Sequence, residues 1–312
     1  MTDRRRDGSQ AWWAAILAVL IVVAILLLRS QIDSGPSSAS PPSAGVAIET
    51  PAPDFAELPP AITARAAAVV EGSCGALLYG RNPHERLPPA SLVKLATALI
   101  AVERSNPEEE VDIGVDSAAL VEETGSTVMG LQPGLRLTLR DLLYGLLLPS
   151  GNDAALAIAE HIAGSVPAFV RLMNQRAREL GLRDIHFTNP HGLDEPGLYA
   201  SAADLALLGR YVMANSTLAQ IVATRAWQPS WDGPPLWNGN GLLDAYPGLD
   251  GLKVGYTEKA GQTMVATAER DGRRLFVAVL GSRDRYTDVW RLLDWAFASV
   301  ASPCSVAAPK AP

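Results

Sequence analysis

The sequence predicts one mixed α+β domain (α/β in the broad sense), with a sheet assembled from both ends of the folded segment and helices inserted between them. Three observations predict it. Strand-like runs stand at the front of the segment, AAAVV (66–70) and ALLY (76–79), and three more at its back, GLKVGYT (251–257), QTMVATAE (262–269) and RLFVAVLGS (274–282). The long stretch between them carries helical apolar periodicity. At 312 residues and 48% hydrophobic content, the chain can bury a full-sized core.

The chain opens with Arg4, Arg5 and Arg6, followed by AWWAAILAVLIVVAILLL at 11–28, an uncharged run long enough to cross a bilayer's hydrocarbon core. Arginines on the N-terminal side put that end in the cytoplasm and residues 30 onward outside. Trp12 and Trp13 suit the membrane interface. The run has no polar face, which argues against a core helix. A cleaved signal peptide is the rival reading, given the small residues Ser37–Ser40, although its apolar region is ordinarily shorter. The expected organisation is a cytoplasmic stub and signal-anchor over 1–29, a Pro/Ser/Ala-rich linker over 30–60, a catalytic domain over 61–302 and a short tail over 303–312. The protein is thus expected to be a single-pass cell-membrane protein whose folded domain is extracytoplasmic.

Within the domain, the first two strands read as a hairpin around EGSCG. Pro88 and Pro89 mark the start of a helix over SLVKLATALIAVE (91–103). Two helical patterns, TLRDLLYGLLL and DAALAIAEHIA, occupy 138–163 on either side of PSGN. Further helices are expected over 167–180 and 200–214. The turn Arg270-Asp271-Gly272 joins the last two strands, and a final helix covers TDVWRLLDWAFASV (287–300). There are no internal repeats.

A formal net charge of −7 gives no support for nucleic-acid binding. The four histidines (His84, His161, His186, His191) form no HExxH pattern, and Cys74 and Cys304 are too few for a zinc site, so no metal or other cofactor is expected. In an exported domain the two cysteines are candidates for a disulfide.

The chemistry begins with residue choice. Of 26 basic residues only four are lysine, namely Lys94, Lys253, Lys259 and Lys310. Ser91 and Lys94 are three apart at a helix start, so their side chains share a face. Serine needs a neighbouring base to become a nucleophile. Lysine, unlike arginine, serves as that base when burial and nearby positive charge lower its pKa, and Lys94 and Lys253 would each hold the other's pKa down. Ser150 and Asn152 place a hydroxyl and an amide together between two helices. Lys253 heads a strand, with Gly255 two places on. Each pattern has a plain structural alternative: a serine cap with a helical lysine, a cap on the helix at 153–163, and a solvent-facing strand lysine before a glycine bulge.

Taken together, in this order, the three resemble the S-x-x-K, S-x-N and K-T-G set of penicillin-binding proteins and serine β-lactamases. PPASLVKLATAL, LLYGLLLPSGNDAALAIAE, FTNPHGLDEPGLYASAADLALL and GLDGLKVGYTEKAG resemble the serine D-alanyl-D-alanine carboxypeptidases of the S11 type over roughly residues 60–300. The resemblance implies a transpeptidase-like fold, with an antiparallel five-stranded sheet flanked by helices and an inserted helical subdomain. It implies that Ser91 attacks the carbonyl between the last two D-alanines of a cell-wall stem peptide, that Lys94 takes the serine proton, and that Ser150 relays a proton to the leaving amine with help from Lys253. Asn152, Lys253, Val254, Gly255, Tyr256 and Thr257 would bind substrate, the backbone N–H groups of Ser91 and Tyr256 would form the oxyanion hole, and the 251–257 strand would hold the peptide by edge pairing. Peptidoglycan stem peptides are the implied partner and β-lactams the implied covalent inhibitors. In the family's sheet order the first strand lies beside the last, which brings Cys304 near Cys74 and implies that disulfide.

One departure stands out. The third motif reads Lys253-Val254-Gly255, with valine where the family has a threonine whose hydroxyl helps bind the substrate carboxylate. A lost hydrogen bond to a charged group costs about 1.5–3 kcal/mol. Thr257, read as lying on the same strand face, is expected to compensate in part. Glu195 lacks the setting of a deacylating glutamate, which disfavours a class A β-lactamase, and His191 is expected to be a loop histidine with no catalytic role. The alternatives to a carboxypeptidase are a cross-link endopeptidase using the same residues, or a low-turnover penicillin-binding or wall-binding protein, for which Val254 is the argument.

Overall fold

The computed structural model describes residues 58–304. The apolar run at 11–28, expected as a signal-anchor, lies outside the described residues, as do most of the expected linker and the last eight residues of the chain.

Strands β1 (Ala66–Glu71) and β2 (Leu77–Arg81) open the domain, and a 3-10 turn, Ala90–Val93, leads into α1 (Lys94–Arg104). Then come β3 (Glu110–Asp112), α2 (Ser117–Thr124), β4 (Arg136–Thr138), α3 (Leu139–Leu147), α4 (Asn152–Ala163) and α5 (Val166–Glu179). After α6 (Ala202–Met213) and α7 (Ser216–Ala223), the two-residue strands β5 (Ala226–Trp227) and β6 (Leu236–Trp237) form a small hairpin. Strands β7 (Leu249–Thr257), β8 (Gly261–Arg270) and β9 (Arg273–Ser282) and helix α8 (Arg285–Ser299) complete it.

The main sheet is antiparallel and five-stranded, in the order β2-β1-β9-β8-β7. Both ends of the domain meet in it, since Ala66 of β1 pairs with Leu280 of β9. Helices cover both faces. Ala66, Ala68 and Val70 turn to the core shared with α1 and α3–α7, whereas Ala67 and Val69 turn to the core shared with α8. A sheet buried on both sides needs apolar residues at every position rather than at alternate ones, which is why these strands read as continuous apolar runs. The β8–β9 connection is a two-residue turn, Asp271-Gly272, with both residues at positive φ, the conformation that matches sheet twist.

The five expected strands and the six expected helices are present, and four features differ from the expectation. The β3–β4 and β5–β6 pairs are too short to carry a period. Helix α2 is only eight residues long, with Ser117 its sole buried residue, and is started by Asp116, whose carboxylate accepts from Ala118 N and Ala119 N. Helix α7 is two turns capped by Asn215. Ser91 lies in the 3-10 turn rather than in the α-helix, which begins at Lys94.

Cys74, in the β1–β2 turn, is disulfide-bonded to Cys304, with their Cα atoms 6.0 Å apart. The buried Glu71 pairs with Arg273, whose Nη1 donates to Val300 O at 2.6 Å, so the end of α8 is fastened to the same corner. Among the described residues no single helix is long and apolar enough to cross a membrane; α4 and α5 pass together only as a pair bent by 85°.

Candidate active site

The centre of the site is Lys94. It is fully buried, and its Nζ lies 3.0 Å from Ser91 Oγ, 2.7 Å from Asn152 Oδ1 and 2.8 Å from His191 O. Burial, reinforced by the charge of Lys253 and opposed by Asp153, pushes the ammonium well below its ordinary value. A neutral amine has two N–H donors and one lone pair. Two carbonyl acceptors and one hydroxyl match that inventory: the N–H groups serve Asn152 Oδ1 and His191 O, and the lone pair is left for the Ser91 proton.

Ser91 is held from two sides. Ala90, with φ at +52°, turns the chain into the 3-10 segment. The Asn189–Leu193 loop packs against it so closely that a Cβ on Gly192 would lie 2.0 Å from Ala90 O. That loop is tied by Asn189, whose Oδ1 accepts from Gly192 N at 2.7 Å and whose Nδ2 donates to Glu195 Oε2 at 2.9 Å. Glu195 is thus a loop brace. His191 meets Lys94 through its main chain; its ring Nδ1 accepts from Leu193 N, and burial, then Lys94, holds its pKa down to about 4.

Ser150 and Asn152 flank the start of α4. Asn152 is buried, and both ends of its amide are occupied: Oδ1 on Lys94, and Nδ2 donating to Ser126 Oγ at 2.8 Å. Ser150 sits at φ +73°, a strained setting for a serine, and its buried Oγ makes no hydrogen bond. A buried hydroxyl left unpaired is an unspent donor and acceptor.

Strand β7 forms the opposite wall. Lys253 is buried, donates to Val254 O at 3.0 Å, and is lowered to about 7, first by burial and then by Arg285. Gly255 makes the close approach: a Cβ there would lie 2.9 Å from Ser91 N, 2.6 Å from Thr263 Oγ1 and 3.2 Å from Ala90 Cβ. The half-buried Val254 lies beside Gly239, whose N–H donates to Leu148 O, two residues before Ser150. The ring of Tyr256 is exposed. Thr257 does not stand in for the missing threonine. It is three positions from Val254, hence on the other strand face, and its hydroxyl donates to Asp194 Oδ1 at 3.1 Å and accepts from Ala260 N.

Three residues around the site carry no motif signal in the sequence. Asp153 accepts from the backbone N–H groups of Met129, Gly130 and Leu131 and from Ser117 Oγ, shaping the loop that brings Ser126 to Asn152. Thr263 Oγ1 donates to Pro89 O, joining β8 to the 3-10 turn. Arg285 Nη1 donates to Gly255 O at 2.6 Å. Lys94, Lys253 and Arg285 form no ion pair among the described residues; with Lys94 neutral, the site's positive charge comes from Arg285 and the protonated fraction of Lys253. Among the described residues no group of three or more His, Cys, Asp or Glu is placed to hold a metal ion.

A family model described as D-alanyl-D-alanine carboxypeptidase, peptidase S11, matches residues 53–284. The chain belongs to the peptidase S11 family. It is 38% identical over 261 residues to the D-alanyl-D-alanine carboxypeptidase DacD of Salmonella typhimurium, an alignment covering 80% of this chain and 66% of that protein. With DacB2 of Mycobacterium tuberculosis it is 39% identical over 242 residues, 74% of this chain and 81% of that one. The Streptomyces K15 DD-transpeptidase structure superposes with a TM-score of 0.74 at 30% identity, covering 78% of this S11 chain and all of the other. The chain thus spans just under two thirds of the Salmonella relative's length.

Proposed function

We propose that this S11 chain is a serine-type D-alanyl-D-alanine carboxypeptidase that trims the terminal D-alanine from peptidoglycan stem peptides through a Ser91 acyl-enzyme. The observation that carries the reading is the setting of Lys94: a buried lysine of depressed pKa, with its Nζ on Ser91 Oγ and its remaining positions taken by two carbonyl oxygens.

Neutral Lys94 removes the Ser91 proton as Oγ bonds to the carbonyl carbon of the penultimate D-alanine. The backbone N–H groups of Ser91 and Tyr256 receive the developing oxyanion. Collapse breaks the C–N bond, and Ser150, whose hydroxyl is unspent, passes a proton to the departing amine. Water then adds to the ester and frees Ser91. Lys253 and Arg285, which pair with no carboxylate among the described residues, attract the terminal carboxylate. Asn152 reaches the substrate backbone by exchanging Ser126 for a substrate carbonyl, while Val254, Gly255, Tyr256 and Thr257 line the edge along which the peptide lies. β-Lactams are expected to acylate the same serine.

The domain boundaries read from the sequence belong to this proposal. So does a single-pass anchor at 11–28 that holds the catalytic domain on the outer side of the cell membrane. One observation favours a second reading. Val254 offers methyl groups where a hydroxyl would grip the carboxylate, so turnover falls short of binding and the protein acts chiefly as a penicillin-binding or wall-binding protein.

The test is D-alanine release by the full chain in detergent from a peptide ending in D-Ala-D-Ala, with Ser91→Ala as control. Release that vanishes in the control supports the carboxypeptidase. Stoichiometric penicillin binding without release supports the second reading, and absence of both overturns the acyl-enzyme.

A further inference from the structure

We propose that Arg285 is a positioning residue for the oxyanion hole, its guanidinium fixing and polarising the Gly255–Tyr256 peptide whose N–H, together with that of Ser91, receives the oxyanion. The proposal rests on the acyl-enzyme reading and adds to it a residue that acts on the reacting oxygen through one peptide unit.

The geometry is direct. Arg285 Nη1 donates to Gly255 O at 2.6 Å and to Thr263 O at 3.2 Å. Thr263 is the β8 partner of Gly255, and a single nitrogen reaching both carbonyls requires that they face the gap between β7 and β8. A peptide unit is planar and trans, with its C=O and N–H pointing in opposite directions. The Tyr256 N–H of the same unit is therefore turned away from β8, towards the outer side of β7, which is the free edge of the sheet. The Ser91 amide lies against the sheet face at the same point of β7, since a Cβ on Gly255 would be 2.9 Å from Ser91 N. A cation bonded to an amide oxygen draws electron density from the nitrogen and makes its N–H a stronger donor.

The placement of the charge is otherwise unfavourable. Arg285 is the first residue of α8, at the end where the helix dipole is positive and a cation is least welcome. It is half-buried, its Nε has no acceptor, and it forms no ion pair among the described residues. Its backbone N–H is held by Gln262 Oε1 and its guanidinium lies 5.7 Å from the centre of the Tyr286 ring. Its charge is not neutralised by any carboxylate among the described residues, and the nearest acceptor it grips is the carbonyl of the oxyanion peptide.

The experiment uses the full chain and two acyl donors that share one acyl group. The first is a peptide ending in D-Ala-D-Ala, and the second is the same acyl-D-alanyl group as an S-ethyl thioester, which has no terminal carboxylate. With the thioester, the Ser91 Oγ–C bond forms as the C–S bond breaks and ethanethiol leaves with the proton. Acylation is followed by intact mass and normalised to the fraction of Ser91 that is finally acylated, so that misfolded protein does not enter the rate. Removing an oxyanion donor outright costs about 100- to 1000-fold; weakening one is expected to cost about 10-fold. Arg285→Gln is therefore expected to slow acylation by both donors about 10-fold, through the maximal rate rather than the half-saturating thioester concentration, with Arg285→Lys recovering part of the loss. An unchanged thioester rate in Arg285→Gln, with loss confined to the carboxylate-bearing peptide, overturns the proposal and leaves Arg285 as a carboxylate anchor alone. A thioester that acylates the wild type in the absence of any D-alanine release removes the carboxypeptidase while still deciding the role of Arg285. No acylation of Ser91 by either donor removes both.

Discussion

Gly255→Ala is the substitution whose effect follows most directly from the geometry. The new methyl would lie 2.9 Å from Ser91 N, 2.6 Å from Thr263 Oγ1 and 3.2 Å from Ala90 Cβ, where ordinary contact begins near 3.4 Å. Thr263 relieves its share by rotating, at the cost of its bond to Pro89 O. The Ser91 amide is main chain and has no such freedom, so β7 and the 3-10 turn must separate by about half an ångström. Misplacement of reacting groups by about 1 Å costs about 100-fold, and loss of an oxyanion donor costs at least that much. Acylation by a fluorescent penicillin is expected to fall about 100-fold, while overpacking lowers stability by only about 1–3 kcal/mol. Stopped-flow acylation rates and thermal unfolding measure the two separately. Adding Thr263→Ser is expected to return part of the stability and none of the rate. A Gly255→Ala protein that is acylated at the wild-type rate would show that the close approach of β7 to Ser91 is not what glycine is there for.

Other outcomes follow from the same site. Val254→Thr is expected to lower KM for a D-Ala-D-Ala peptide by about 10- to 100-fold, the worth of a hydrogen bond of about 1.5–3 kcal/mol to a carboxylate, and steady-state kinetics would expose an unchanged KM. Lys253 titrates at about 7, so KM for carboxylate-bearing substrates should rise as pH climbs through 7 and its cation is lost. Both buried lysines have folded pKa values below their unfolded one of about 10.4. Between pH 7 and about 10.4 the unfolded chain holds more protons, stability rises with pH over that window, and Lys253→Met should flatten the slope in melts at about pH 6, 8 and 9.5. The Cys74–Cys304 bridge spans 230 residues; replacing both with serine is expected to cost about 2–5 kcal/mol with acylation intact, since the β8–β9 turn beside it is at the other end of β8 from Thr263.

The central strands β1, β8 and β9 were legible because burial on both sheet faces makes each a mostly apolar run between turn residues. The edge strands β2 and β7 were legible as strand-like patterns beside glycine turns. Ser91, Lys94, Ser150, Asn152 and Lys253 were legible because rare residue types stand at short, chemically meaningful spacings. Arg285 was not, because it is one arginine among 22 and its function lies in which carbonyl it meets across a fold. Asp153 was hidden for a similar reason: beside Asn152 it reads as an ordinary first-turn acid, yet its carboxylate organises a loop more than twenty residues earlier. Thr257 departs from expectation because three steps along a strand change its face, and the structure gives that hydroxyl to Asp194.

The pairing of Ala66 with Leu280 also orders events in time. A chain made from its N-terminus at about 5–20 residues per second leaves β1 without its central partner for about ten to forty seconds. During that wait β1 has β2 on one side and lacks the β9 neighbour that completes its main-chain pairing on the other. The β7 wall of the cleft is missing meanwhile, because Gly255 reaches Ser91 only once β7 is in place. The contact between Gly255 and Ser91 therefore waits for the last fifth of the polypeptide, and Cys304, the final described residue, can bond to Cys74 only once every residue of the cleft has been made.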